Sequence, residues 1–464
     1  MREQECGMSK DTSKPNAYLT APLGAIFLKT ALPIIFVMGM NGLLTVADAI
    51  MLGIYVGAEA VGAVTTVFPI FILTVALATL VVSGMASLLA RHLGAGRFAE
   101  ARGVFAGAHM LALTIAVALI ALFAALGDRL VLTLTNGPGP LASMAERYIA
   151  IIIFGAPVQF LLAVQSDALR CEGRAGLMAG LSLLVSLANL ALNYVLIALL
   201  DMGVAGSATG TVLAQLLALG LIALFRLFGR TELRLSALLR HNPLTGWSRM
   251  IALGSPQSLG FIGMALVSVT IMAALQKTAA ENYATTVAAY GIITRIMTFA
   301  LLPLLGLSQA MQAIVGNNVG AGLADRAERM LRLGMLVAFF YCLAVEVLLL
   351  GFARPIGATF VDNDAVIADV ARIMPVMVAM YVFSGPLIML GSYFQAIGDA
   401  RRAAILGLAR PYLCTMPLVA LYASTFGEPG IWFAMPTADA LLLAVALLVL
   451  WQASRQRPAT APSG

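Results

Sequence analysis

The sequence predicts an all-α polytopic membrane protein: twelve transmembrane helices in two six-helix lobes related by a parallel internal repeat. Three observations carry this. The 464 residues are 61% hydrophobic and 11% charged, whereas a soluble domain carries about a quarter charged residues. The apolar stretches run on without alternation, and many reach the roughly 20 residues a helix needs to cross about 30 Å of hydrocarbon. Landmarks of the first half recur some 225 positions later.

The predicted spans are 23–54, 60–91, 104–127, 143–168, 176–200, 204–228, 247–276, 284–316, 331–352, 370–396, 403–424 and 431–453. Several are longer than the minimum, so tilt is expected. They divide the chain into an N-terminal tail (1–22), a first lobe (23–228), a loop (229–246), a second lobe (247–453) and a C-terminal tail (454–464). Orientation follows from Lys and Arg. With the N-terminus inside, the inner segments hold 21 basic residues and the outer ones 5. That bias places both tails and the inter-lobe loop in the cytoplasm; the chain is expected in the plasma (inner, cytoplasmic) membrane. The polar opening "MREQECGMSKDTSKPNAYLT" has no apolar core and reads as a tail, not a cleaved signal. Cys6, Cys171, Cys342 and Cys414 are scattered, which argues against a zinc site or a disulfide scaffold.

The repeat rests on landmarks in order. Gly94-Ala95-Gly96 recurs as Gly320-Ala321-Gly322, 226 positions on; Pro33 matches Pro256 at 223, and Gly173 matches Gly398 at 225. An even number of spans per unit gives both halves one orientation, as in transporter halves related by an axis along the membrane normal. The "GAG" turns are expected to supply a tight bend between helices.

Soluble-enzyme chemistry is absent from the pattern. "GAGRFAEARG" follows a long apolar helix rather than a strand and is no phosphate loop. The net charge of +6 is spread over short inter-span pieces, so it speaks for topology and not for nucleic acid. No cofactor is implied. Energy then comes from an ion gradient, H+ or Na+, or transport is passive. Charges inside spans are costly and mark candidate sites. Asn41, Thr45 and Asp48 follow i, i+4, i+7 spacing and form one stripe on the first helix. Asn189 and Asn193 pair at i, i+4 on the fifth, and Ser207, Thr211 and Gln215 make a stripe on the sixth. Such polar residues also serve ordinary helix–helix bonding. Asp167 lies near Arg170 and is expected to pair with it. Arg295 and Arg410 could hold carbonyls or a carboxylate; the roles of Glu346 and Asp439 stay open.

With these residues in view, the chain resembles the multidrug and toxic compound extrusion (MATE) transporters over residues 23–453. The matching pieces are "ALPIIF" with "VADAIMLG", "ARHLGAGRFAEA", "LRCEGRA", "ANLALNYVLI" and "GVAGSATGTVLAQ", then "GIITRI", "QAIVGNNVGAG", "QAIGDARRA" and "GIWFAMPTADALL". The resemblance implies two lobes facing a central cavity, alternating access, and export of small-molecule organic cations against H+ or Na+. It carries Asp48, Asn189, Asn193 and Thr211 over as a first-lobe ion site, with Na+ as one occupant of Asp48. Candidates for the cavity wall are Asn41, Thr45, Gln159, Gln257 and Arg295. Many relatives have aspartate where Asn193 stands, and some have acids in the seventh and tenth spans, where "SPQSLGFIGMALVSV" and "PVMVAMYVFSGPL" have none. Coupling is therefore expected in the first lobe. A lipid-linked precursor flippase is the alternative, but it calls for several basic residues in the cavity. A membrane-embedded enzyme would need an acidic or His cluster that the sequence lacks. Partners are thus small molecules and the lipid bilayer; nothing sets an oligomeric state.

Overall fold

A computed structural model describes residues 16–135, 137–229, 231–278 and 282–455. The outer parts of both predicted tails, with Cys6, Arg2, Lys10, Lys14 and Arg457, lie outside the described residues, as does Arg230. A backbone in lipid must satisfy its own hydrogen bonds, and the apolar stretches do so as helices. The first lobe has spans Leu23–Tyr55, Phe68–Gly94, Phe98–Leu134, a bent pair Pro140–Phe154 with Ala156–Cys171, Ala175–Leu199 and Gly203–Phe228. The second has Trp247–Thr278, Tyr283–Gly320, Ala324–Gly351, a bent pair Asp364–Val378 with Tyr381–Ile397, Ala400–Phe426 and Glu428–Arg455. Counting each bent pair once gives twelve spans among the described residues.

The repeat is visible in shape. The fourth span of each lobe bends, by 47° in the first and 46° in the second. The fifth span of each lobe contains a π-helical stretch, Tyr194–Leu199 and Ala409–Thr415. Pro69, Pro157 and Pro417 sit at helix starts, where a missing N–H costs nothing. At the second-lobe bend the restarted helix leaves backbone donors unpaired. Glu346 of the ninth span meets this need: its Oε2 accepts from Val382 N at 2.6 Å.

The turns that carry most of the arginines gather at one end of the bundle, called here the basic end. There the lobes lock together. A Cβ on Gly84 would stand 2.0 Å from the Met250 carbonyl oxygen, and one on Gly254 1.8 Å from that of Leu80. The same reciprocity links the "GAG" turns: Gly94 would meet Asn317 O at 1.9 Å and Gly320 would meet Arg91 O at 2.0 Å. The expectation of a bend therefore holds for the second glycine of each triplet only, Gly96 (φ +69°) and Gly322 (φ +77°). The first glycine of each is small so that backbone can touch backbone across the pseudo-two-fold axis.

Packing crosses the lobe boundary as well. Ile26, Phe27, Ala31, Ile34 and Val37 of the first span belong to the second-lobe core, and Met250 and Leu253 of the seventh belong to the first-lobe core. The chain read as a tail docks from Asn16 onward. Asn16 caps the short helix Ala17–Thr20, and Tyr18 is 1% exposed. The Tyr18 hydroxyl donates to Arg170 O at 2.8 Å in one lobe, and its own carbonyl accepts from Asn318 Nδ2 at 3.1 Å in the other.

Gly320→Val drives a side chain into the Arg91 carbonyl, and overpacking of this kind costs about 1–3 kcal/mol. The purified variant is expected to melt several degrees lower than the wild type. Gly176→Ala, which meets nothing within 4 Å, is expected to melt unchanged. Equal melting of all three would show that the lobes do not touch here.

Candidate functional site

Asp48 stands in the half of the first span away from the basic end. Asn193 Nδ2 donates to Asp48 Oδ1 at 2.7 Å. Asn193 ends the α-helical part of the fifth span, directly before its π stretch; such stretches recur at functional positions. One turn back, the Asn189 amide matches donors to acceptors with its Nδ2 3.3 Å from Asp48 Oδ1 and its Oδ1 accepting from Thr211 N (3.1 Å) and Oγ1 (3.0 Å). Two amides thus converge on one carboxylate, and the fifth and sixth spans are tied through Thr211. Asn189 and Asn193 are buried.

The sixth span makes room for this. A Cβ on Gly210 would fall 2.0 Å from Asn193 Oδ1, so only glycine leaves space for the amide. That oxygen is buried and has no hydrogen-bond partner among the described residues. A carboxylate beside an orphaned amide oxygen is a hard, oxygen-only donor set, which suits a proton or an alkali cation rather than a soft metal. No group of three or more His, Cys, Asp or Glu residues among the described residues is arranged to hold a metal.

Toward the basic end, first-lobe helices together with Gln309 of the eighth span line a partly open cavity of about 340 Å³. Asn41, Gln159 and Gln215 are among its polar walls, with Asp167 and Gln309. Asn41 and Gln159 therefore share one space. Thr45 is exposed and donates to its own helix at Asn41 O, 3.0 Å away. Gln257 is half-buried on the seventh span and makes no hydrogen bond to this cluster. Arg295 is exposed on the eighth span. It shares a helical stripe with Phe299, Leu302 and Gly306, which face Gly42 and Ile35 of the first span. It thus lies on the wall that faces the first lobe, not in the Asp48 cluster.

The expected Asp167–Arg170 pair is present, with Nε and Nη2 of Arg170 2.8 and 2.7 Å from Asp167 Oδ1. In the second lobe, Arg410 of the π stretch grips Asp439 of the twelfth span, Nε to Oδ1 at 2.6 Å and Nη2 to Oδ2 at 3.0 Å. This pair joins the fifth and sixth spans of its lobe, as Asn189 and Thr211 do in theirs. The second lobe thus carries its own cation where the first has a carboxylate and amides.

Sequence reasoning missed two features. One is Gly210, hidden because a glycine's role depends on which neighbour approaches. The other is Arg226, fully buried, which bonds Glu172 Oε2 at 3.1 Å and Leu233 O at 2.8 Å and so anchors the inter-lobe loop. Its position at the end of an apolar span was the available signal.

Known proteins share the sequence pattern and the fold of this chain. A family model described as MatE matches residues 33–195 and again 256–421. The chain is 26% identical over 442 residues to a protein of Shewanella oneidensis described as "FAD transporter", covering 94% of this chain and 95% of that one. It is 21% identical to "Probable multidrug resistance protein YoeA" of Bacillus subtilis, covering 97% and 96%. Among solved structures, a MOP superfamily transporter from Pyrococcus furiosus aligns with a TM-score of 0.86 at 23% identity, over 96% of this chain and 98% of that one. An outward-facing multidrug resistance MATE family transporter aligns with the same score, identity and coverage.

Gly210→Ala is expected to push the Asn193 amide off Asp48, leaving a buried carboxylate short of a donor at a cost of about 1–3 kcal/mol. In thermal melts of the purified protein the loss should be non-additive with Asn193→Ala, because removing the amide removes the clash. Simple additivity would place Asn193 elsewhere.

Proposed function

Because the chain belongs to the MATE family of membrane transporters and is not an enzyme, we propose that it is a secondary active exporter. It moves small organic compounds outward by alternating access, in antiport with H+ or Na+. The observation that carries this reading is the Asp48 cluster: one carboxylate in a membrane span, met by two amides, beside an acceptor with no partner. A bound proton or Na+ neutralises the carboxylate and gives the cluster the positive charge it lacks.

On this reading the basic end faces the cytoplasm and both tails lie there. The inter-lobe hydrogen bonds from Gln312–Ser83 to Arg91–Ile397 fall in the half of the bundle toward that end. The conformation is therefore closed inward. In it Asp48 takes up its ion from outside, the Asn189–Asn193–Thr211 contacts rearrange, and the bound compound is released outward. The loaded carrier then turns inward and gives up the ion. This requires only that ion and cargo favour different states of one two-state element.

Organic cations are the cargo that the family resemblance suggests. Arg295 on the facing wall, and a relative described as a FAD transporter, make larger polar cargo a second class to assay. The flippase reading is weaker, since a diphosphate calls for several uncommitted basic residues, and Arg170, Arg226 and Arg410 are already paired with Asp167, Glu172 and Asp439.

Efflux of ethidium, and separately of FAD, from cells expressing wild type or Asp48→Asn tests this. Each assay is run with the proton gradient collapsed, and with and without Na+. Wild type is expected to expel at least one cargo, and Asp48→Asn to lose nearly all gradient-driven efflux at equal membrane expression. Undiminished pumping by Asp48→Asn would remove Asp48 from coupling. Failure of wild type on both cargoes would turn attention to lipid-linked precursors.

A further inference from the structure

The cavity below Asp48 ends on a second carboxylate, and that carboxylate is wired to the seal between the lobes. Asn41 lies two turns from Asp48 on the first span, and Gln215 one turn from Thr211 on the sixth. Asp48, Asn189, Asn193 and Thr211 are not among the residues that line the cavity, which begins one to two turns nearer the basic end. Gln159 and Ser166 continue its polar wall, and Asp167 and Gln309 complete it.

Asp167 uses one oxygen for Arg170. Both of the contacts from Arg170 go to Oδ1, at 2.8 and 2.7 Å, and among the described residues none goes to Oδ2. Arg170 is 1% exposed. Its third nitrogen, Nη1, donates to the carbonyl of Gln309, which belongs to the eighth span and so to the other lobe. Its own carbonyl holds the Tyr18 hydroxyl at 2.8 Å. Next to it, Cys171 O accepts from Asn317 Nδ2 at 3.4 Å. Arg170 is therefore a joint: one side of the guanidinium rests on a first-lobe carboxylate that lines the cavity, the other on second-lobe backbone.

We propose that this cavity is the inward path of the coupling cation, that Asp167 is a second binding station at its end, and that arrival there releases Arg170 from Gln309. The inference rests on Asp48 being the coupling site. Its physical basis is charge balance. Arg170 is the charged side chain that faces Asp167, and one carboxylate cannot neutralise a guanidinium and a second cation at once in a medium of low dielectric. Na+ on the free oxygen repels Arg170; a proton removes the charge that holds it. In either case a buried guanidinium loses its counterion, which is strongly unfavourable, and it leaves toward water at the basic end. The bond to the second lobe goes with it. Ion arrival and gate opening become one event.

The test places spin labels at Glu100 and Asp325, exposed positions beside the two "GAG" turns, in full-length protein in lipid nanodiscs without cargo. A step in Na+ or in pH, whichever drives wild-type efflux, is expected to raise the open population across the basic end. Asp167→Asn, which mimics the neutralised carboxylate, is expected to be open at every cation level. Gln159→Met with Ser166→Val fills the path without touching the ion pair. This variant is expected to keep the cation-dependent thermal shift that reports binding at Asp48, yet to lose the gate response at least tenfold. A plugged variant that opens like wild type would overturn the path. Asp167→Asn that stays closed and opens with cation like wild type would overturn the trigger. Should Asp167→Asn not yield monodisperse protein, the plugged variant alone decides. An Asp48→Asn protein that retains the thermal shift would instead overturn the Asp48 reading on which the path depends.

Discussion

A charge in hydrocarbon must be answered locally, and in this molecule the answer nearly always comes from another helix. Asp48 of the first span is met by amides of the fifth. Asp439 of the twelfth is met by Arg410 of the eleventh. Glu346 of the ninth serves the backbone of the tenth. Asp167 is met by its own neighbour Arg170, but that arginine then reaches into the opposite lobe. Each costly group is thus also a clamp between elements, and changing its charge state changes which elements hold together. A transporter needs that property: the same atoms that bind an ion keep a shape.

The second constraint is space. Backbones meet across the lobe boundary at Gly84, Gly94, Gly254 and Gly320 in reciprocal pairs. A two-fold-related assembly makes each such contact twice, once from each lobe. The symmetry is kept in bends and π stretches and broken in charge: amides and a carboxylate in one lobe, a closed ion pair in the other. The lobes therefore share mechanics while differing in what they can bind.

Much of this was legible in the sequence. Uninterrupted apolar runs dictate helices because no other open structure satisfies a backbone in lipid, and the repeat is carried by short landmarks that survive where apolar residues exchange freely. Asp48, Asn189, Asn193 and Thr211 stand out as polar atoms in such runs, and the structure brings them together. Gln257 and Arg295, named as candidates for the cavity wall, fall on other walls, since helical spacing fixes a residue's face only within its own helix. Gly210, the bond from Glu346 to Val382 N and the Arg170–Gln309 link depend on which helices are neighbours. Tyr18, placed in a predicted tail, is buried because its hydroxyl finds a carbonyl and its ring a gap at the lobe seam.

The exchange of core residues between the lobes has a consequence for how the chain is made. Ile26 to Val37 belong to a core built mostly from helices that follow residue 283, with Leu169, Met178 and Ile222 as first-lobe members. During synthesis the first span must wait, half-packed, until the eighth has emerged and entered the bilayer. The seventh, by contrast, meets a first-lobe core already built. The basic end is therefore closed late, and a nascent chain halted after the sixth span holds a lobe whose first helix packs on the fifth but still lacks its second-lobe neighbours.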